Sequence, residues 1–235
     1  MKAIEIKTEL FSMGSAEKRT ILERFFKTGK GEYGEGDIYI GVTVPQQRDI
    51  VKRYHFLDFP EIIELLKEPY HECRLTALLF LVNEYEKCKN QTRRDEIFTL
   101  YLQHTDRINH WDLVDLSAPK IIDTHLLSKD AEILIDLAHS DNLWKKRIAI
   151  VSTLRFIKNN RFEDTFMISK ILLNEKEDLL HKAVGWMLRE IGKKDYIAEY
   201  SYLKENYKNM PRTTLRYAIE RFEENVRKQF LLGEI

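Results

Sequence analysis

Proline and glycine are scarce in this chain of 235 residues: 5 and 9 of them leave little material for a flexible linker, a collagen-like repeat or a disordered tail. Cysteine is scarcer still. Cys73 and Cys88 form no CxxC and no nearby histidine completes a metal-ligand spacing, so both are expected as buried thiols in a reducing compartment. Net charge is absent, 38 Lys and Arg balancing 38 Asp and Glu, which argues against indiscriminate polyanion binding but allows a basic face balanced by an acidic one. Long apolar runs are missing too. Thr76-Ala-Leu-Leu-Phe-Leu-Val82 falls well short of the roughly 18 residues that a bilayer span needs, and Met1-Lys-Ala-Ile-Glu-Ile-Lys7 carries a glutamate where a signal peptide needs apolar residues. The protein is therefore expected in the cytoplasm, with no membrane partner. The absence of HExxH, GxSxG and Cys-His signatures gives metal hydrolysis and acyl transfer little support, and no metal is expected.

What the chain has in quantity is apolar residues, 43% of it, at three- and four-residue spacing almost throughout, while alternating strand-like segments are hard to find. An all-α fold follows. Glu61-Ile-Ile-Glu-Leu-Leu-Lys67 and Ala131-Glu-Ile-Leu-Ile-Asp-Leu-Ala138 each carry an amphipathic stripe, and Asn83 to Lys89 reads as a polar helix end. Pro60, Pro69, Asp130 and Ser140-Asp-Asn142 supply turns and caps, so short helices with short loops are expected.

Some of those helices resemble one another: Glu72-Cys-Arg-Leu-Thr-Ala-Leu-Leu-Phe80, Lys146-Arg-Ile-Ala-Ile-Val-Ser-Thr-Leu154, His181-Lys-Ala-Val-Gly-Trp-Met-Leu188 and Leu215-Arg-Tyr-Ala-Ile-Glu220. Each sets a basic residue near its start and then turns apolar. Arg147, Lys182 and Arg216 follow at intervals of 35 and 34 residues, Arg74 lies about two intervals earlier, and Asn109-His-Trp-Asp-Leu-Val-Asp115 fills the gap. A period of that size, one helix pair per unit, signals an α-solenoid of HEAT or armadillo type, here a single repeat domain over residues 1–235 with a concave face onto which the basic openings of successive helices converge. Loose self-similarity among bundled helices is the plainer alternative.

The exception is Thr28-Gly-Lys-Gly-Glu-Tyr-Gly-Glu-Gly-Asp37. Gly29, Gly31 and Gly34 spell GxGxxG, but no strand precedes them, no helix follows at once, and acidic residues stand where a pyrophosphate would sit. The segment reads as a mobile loop.

Three clusters can carry chemistry. On a helix, Trp111 and Asp115 are four apart and share a face, and a carboxylate with an aromatic wall suits a cationic or electron-poor substrate. A core tryptophan with Asp112 or Asp115 capping the helix or pairing with arginine fits the same residues. Trp144 to Arg161 holds six basic residues and no acidic one; with Lys182, Lys193 and Lys194 they suit phosphates, or form a solvated face paired with neighbouring acids. Gly185 sits inside an apolar helical run beside Trp186, at a cost of about 1 kcal/mol relative to alanine. Close helix packing offsets such a cost, and so does room beside Trp186 for another group.

Taken together, Gly41-Val-Thr-Val-Pro-Gln-Gln-Arg48, Trp111-Asp-Leu-Val-Asp115, Asp141-Asn-Leu-Trp-Lys-Lys-Arg-Ile-Ala149 and Lys182-Ala-Val-Gly-Trp-Met-Leu-Arg-Glu190 resemble the AlkD-like DNA alkylation repair family, built from HEAT-like repeats. The resemblance covers about residues 20–220. It implies a monofunctional DNA glycosylase acting on N3- and N7-alkylated purines of double-stranded DNA, as a monomer on the nucleoid, with no metal or organic cofactor. It also implies site residues: Asp115 as the catalytic carboxylate, Trp111 and Trp186 flanking the deoxyribose of the lesion, and Arg147 on a backbone phosphate, with a DNA contact at Arg48; the basic residues Lys146, Lys182, Arg189 and Arg216 are expected as further DNA contacts. The chain departs from the family pattern at Phe25, where the family has a tyrosine, and in the glycine-rich segment from Gly29 to Gly36, which is longer than the pattern. A non-catalytic repeat protein that recognises bent or branched DNA through its basic face is the competing expectation.

Overall fold

The structure, a computed structural model, describes residues 1–235. Every regular element is helical, and the one β-type contact is an isolated bridge between Ile38 and Tyr70. The chain divides into two compact units, Met1–Ile121 and Ile122–Ile235. The first holds α1 (Ala3–Met13), α2 (Ala16–Phe25), α3 (Val44–Tyr54), α4 (Phe59–Lys67), α5 (His71–Lys87) and α6 (Gln91–Gln103). The division falls inside α7 (Trp111–Leu126). The second holds α8 (Glu132–Ala138), α9 (Leu143–Val151), α10 (Leu154–Lys158), α11 (Glu163–Ile171), α12 (Asp178–Gly192), α13 (Tyr196–Asn206), α14 (Arg212–Ala218) and α15 (Glu224–Leu232). No helix is long and apolar enough to cross a membrane.

Polar residues start these helices because their side chains satisfy amides that a helix N-terminus leaves open. Asn90 accepts from Arg93 N at 3.2 Å, Asn142 from Trp144 N and Lys145 N at 2.8 and 3.1 Å, and Asp195 from Ala198 N at 2.9 Å. Thr43 and Gln46 form a capping box at α3, and Pro45 and Pro60 stand in the first turns of α3 and α4, where a missing N–H costs nothing. The expected stripes are in place: α4 buries Ile62, Leu65 and Leu66, and α8 buries Leu134, Leu137 and Ala138.

In the first unit α5 is the central helix. Every residue from His71 to Val82 is buried, against α1, α3, α4 and α6, and each large apolar side chain there contributes about 1.5–3 kcal/mol. Helices buried all round carry little amphipathic signal, which is why α5 reads as an apolar run. Glu72 is a structural member of that run. Its carboxylate accepts the amides of Ile40, Gly41 and Val42 at 2.9, 2.8 and 3.1 Å, pinning the chain that leads into α3. Gly41 has a positive φ of 93°, and a Cβ there would sit 2.2 Å from the Ser15 carbonyl, so this position takes only glycine.

The second unit stacks α9 on α12 and α12 on α14, with α8 and α11 packed against them, so the similar helices are neighbours as a repeat requires. Lys146 to Leu154 is not one helix, however: it breaks at Ser152 and Thr153 between α9 and α10. The buried Asp123 carboxylate caps the new start by accepting the Arg155 amide. Gly185 is resolved in favour of packing, since a Cβ there would meet the Thr214 carbonyl and Tyr217 Cβ, both at 2.5 Å.

Two readings need correction. Cys73 is buried as expected, but Cys88 is half-buried, because it is the residue on which α5 ends and its thiol points to the Asn90 carbonyl at 3.5 Å. The glycine-rich segment is a loop, yet a built one: Gly34 is buried with its amide on the Lys27 carbonyl at 3.0 Å, and a Cβ there would lie 2.4 Å from the Phe26 carbonyl. The amides of Gly29 and Gly31 are taken by Glu32 and Glu35 at 3.0 and 2.7 Å, so carboxylates occupy the places a phosphate would need.

Candidate functional site

Trp111 opens α7 and Asp115 lies one turn on, both half-buried. Residues four apart on a helix project from one face, so the two side chains share an edge of the first unit. Around the Trp111 ring stand Phe26 at 5.3 Å, His110 at 5.7 Å and, edge-on at 6.1 Å, Phe25. Phe25 is largely exposed at the end of α2. Below Asp115, Ser117 donates to the Leu113 carbonyl at 2.5 Å and meets the Tyr101 hydroxyl at 2.8 Å, joining α6 to α7. Burial, with a smaller push from the Asp115 charge, holds the Tyr101 hydroxyl above its ordinary pKa. Pro119 stands inside α7 and offers no N–H to the Asp115 carbonyl one turn back, so one rung of the hydrogen-bond ladder is missing there while the helix runs on to Leu126.

Under the Trp111 edge lies a buried set of charges that no spacing in the sequence announces. His71 donates from Nδ1 to Asp37 Oδ2 at 2.8 Å and from Nε2 to Asp112 Oδ2 at 2.9 Å. Asp112 Oδ1 accepts from His110 Nδ1 and from Leu113 N at 2.8 and 2.9 Å, and Arg74 is paired with Asp37. Tyr39 stacks on His71 at 4.6 Å, and Phe26 is layered between Tyr39, His71, His110 and Trp111. Burial alone would lower the His71 pKa, but the carboxylates of Asp112 and Asp37 outweigh it and push it up to about 9. Burial would raise Asp112, and the His71 and His110 rings instead hold it far below the ordinary carboxylate range. Asp37 is lowered the same way by His71 and Arg74.

His71, His110 and Asp112 bring three atoms of metal-ligating type within 4.8 Å of one another. Those atoms are hydrogen-bonded among themselves, and two cations, Arg74 and protonated His71, balance two anions, Asp37 and Asp112. A divalent ion would break these bonds and add charge to a set already neutral, so the residues fit a hydrogen-bonded frame better than a metal cage.

The remaining expected residues lie elsewhere. Arg48 is exposed on α3, beside a depression lined by Val51, Lys52, Leu79, Val82, Asn83 and Glu86. In the second unit Trp186 is half-buried on α12, its Nε1 donating to Glu190 at 3.1 Å. Arg147 is buried on α9 and its Nη1 donates to the Leu179 carbonyl at 2.6 Å, which holds the guanidinium plane in place. Lys146 pairs with Glu175 and Lys182 with Asp178, both at 2.7 Å, and Arg189 pairs with Glu220. Arg216 is exposed. Much of the basic excess from Trp144 to Arg161 is thus met by acids and carbonyls of the same unit, Arg161 by Asp164 at 2.6 Å among them.

The family model for DNA alkylation repair enzyme matches residues 6–222. The chain belongs to the DNA alkylation repair enzyme family. In fold this family member is similar to a solved structure, a predicted DNA alkylation repair enzyme from Enterococcus faecalis, with a TM-score of 0.69 at 14% identity over 90% of this chain and 98% of that one. No curated protein matches it significantly. The resemblance seen in four short sequence segments therefore extends over nearly the whole chain, and the helical-repeat architecture with it. What sequence reasoning missed in this family member is the Asp37–His71–Asp112–His110 frame. His110 and Asp112 flank Trp111 in the segment already singled out, but Asp37 and His71 reach them only through the fold.

Proposed function

We propose that the protein is a monofunctional DNA glycosylase that removes N3- and N7-alkylated purines from duplex DNA. Alkylation leaves a positive charge on the purine, so the base departs as a neutral leaving group with the C1′–N9 electron pair and needs no acid. Water adds to C1′, its proton passes to solvent, and an abasic site remains. What the protein supplies is stabilisation of the cationic sugar and a place for that water. Asp115 is assigned the electrostatic role, comparable to the anionic partner of glycoside hydrolases. Trp111 and Trp186 are assigned the aromatic faces that favour cationic character, and Arg147 a backbone phosphate. The observation that carries this reading is the half-buried Trp111 and Asp115 sharing one face of α7 in a member of the DNA alkylation repair enzyme family.

The test is release of free N7-methylguanine and N3-methyladenine from methylated duplex DNA by wild type and by Asp115→Asn. Loss of a preorganised charge at a transition state costs roughly 100- to 1,000-fold, so the variant should release base at least that much more slowly. It should bind undamaged duplex as well as wild type or better, since an anion beside phosphates has been removed. Equal rates would take Asp115 out of the mechanism. A wild type that binds duplex with a steep salt dependence and releases nothing would leave a non-catalytic DNA-binding protein.

A further inference from the structure

Asp112 is the second residue of α7, and both its oxygens are held: Oδ1 by His110 Nδ1 and Leu113 N, Oδ2 by His71 Nε2. Its neighbours in the helix are Trp111, one residue back, and Asp115, three residues on. Each helical residue turns the chain by about 100°, so a fixed direction for Asp112 fixes the directions of Trp111 and Asp115. The anchor for Asp112 is in turn anchored. His71 reaches Asp37 through its other nitrogen, Asp37 is paired with Arg74, and the imidazole packs against the Tyr39 and Phe26 rings at 4.6 and 5.5 Å.

We propose that His71 is a positioning residue for the Trp111 and Asp115 edge: donating from both ring nitrogens, to Asp37 and to Asp112, it sets the rotation of the first turn of α7. This rests on the glycosylase reading above. Both acceptors are carboxylates, so both ring nitrogens must carry protons, and His71 works as an imidazolium. A neutral ring donates from one nitrogen only and presents a lone pair to the other carboxylate, which loses either the loop at Asp37 or the helix at Asp112. The groups that face the ring are Asp37 and Tyr39 from the loop, Arg74 on its own helix, and His110 and Asp112 at the start of α7; Glu72, next in sequence, is turned away onto the amides of Ile40 to Val42. Asp37 and Asp112 stay ionised well below neutrality, and burial keeps the Tyr39 hydroxyl protonated. The proton on His71, held to about pH 9, is the one that leaves on the alkaline side.

Three measurements decide it. Nitrogen-resolved NMR of the histidine rings in wild type should show one imidazole protonated at both nitrogens at neutral pH and titrating near pH 9, and this signal should vanish in His71→Gln. Single-turnover release of N7-methylguanine from methylated duplex should fall on the order of 100-fold in His71→Gln, the size of loss that a misplacement of about 1 Å produces. The dissociation constant for undamaged duplex should stay unchanged, because no expected DNA contact has been touched. The wild-type rate should also drop as pH rises through the His71 titration, and His71→Gln should lack that drop. Should His71→Gln fail to fold, Asp37→Asn, which keeps the Asp112 bond but removes one of the two carboxylates that hold the His71 proton, should move the alkaline fall in release rate to lower pH at intact DNA affinity, and an unmoved fall overturns the role. An active wild type with an equally active His71→Gln overturns the positioning role alone, as does an imidazole that titrates at the ordinary histidine pKa. A wild type that releases no base overturns the glycosylase reading and this role together.

Discussion

His71 Nε2 and Asp112 Oδ2 lie 2.9 Å apart across 41 residues of sequence, which ties the first turn of α5 to the first turn of α7. Both side chains are almost wholly buried, so neither charge has water to fall back on. Removing one partner leaves the other uncompensated, which costs about 3–5 kcal/mol in such pairs. Asp112→Ala is therefore expected to lower the unfolding free energy by that amount at neutral pH, read from urea denaturation. A loss below about 1 kcal/mol would mean the pair is solvated in solution. The pH dependence has a definite sign. His71 is raised from its ordinary 6.5 to about 9, so its contribution is complete below pH 6.5 and lost as pH rises through 9. Asp112 and Asp37 are depressed, so theirs is present above the ordinary carboxylate range and lost as pH falls below it.

A second buried acid behaves in the opposite sense. Glu199 on α13 is pushed up to about 8, chiefly by burial, with Arg189 opposing, and its Oε1 has no hydrogen-bond partner. Gly192 makes room for it, since a Cβ there would lie 1.7 Å from Glu199 Oε2. A carboxyl raised in the folded state stabilises the fold fully below its unfolded pKa of about 4.3, and that contribution disappears as pH rises through 8. Glu199→Gln, neutral at every pH and nearly the same shape, should leave stability unchanged near pH 4 and raise it at pH 8 and above. Thermal melts of the two proteins across that range check it. Parallel curves would place the Glu199 carboxyl in water.

How much of this was legible in the sequence depends on the range of the interaction. The stripes of α4 and α8 and the cap at Asn142 were readable because each is decided within one or two turns. The repeat was readable because it recurs. Trp111 and Asp115 were readable as a pair because four residues on a helix make a neighbour. Gly185 announced that something approached closely but not what, and only the fold supplies Thr214 and Tyr217. The bonds of His71 to Asp37 and to Asp112 were not readable, since pairing across 34 and 41 residues leaves no period and no motif. Which acids meet the charge of the 144–161 segment was unreadable for the same reason, because Glu175, the partner of Lys146, lies 29 residues away.

Gly185 offers a test of close packing against intrinsic propensity. Alanine is the better helix former by about 1 kcal/mol, so on an open helix Gly185→Ala would stabilise. Here the new methyl would lie 2.5 Å from the backbone carbonyl of Thr214 and from Tyr217 Cβ, neither of which is the loose end of a side chain. Overpacking of this kind costs about 1–3 kcal/mol or more, enough to reverse the sign. Denaturant unfolding should show a net loss and, because Trp186 is the adjacent residue, a changed tryptophan emission. A stabilised variant would show that α12 and α14 sit further apart in solution.

The ion pairs of the second unit bear on DNA binding through competition. Lys146 holds Glu175 at 2.7 Å with both side chains largely covered, so a phosphate that recruits Lys146 must first displace a carboxylate. Glu175→Gln removes both that competitor and a negative charge, and should strengthen binding to undamaged duplex. Each phosphate contact contributes about −0.9 to the slope of log affinity against log salt, so the slope should steepen by up to that amount. Lys146→Gln should then make it shallower by a similar amount in the Glu175→Gln background and by less in wild type. Anisotropy titrations with a labelled duplex between about 50 and 200 mM salt resolve a difference of this size. If Glu175→Gln leaves both affinity and slope untouched, Lys146 does not meet phosphate, and the exposed Arg216 becomes the better candidate for a DNA contact in this unit.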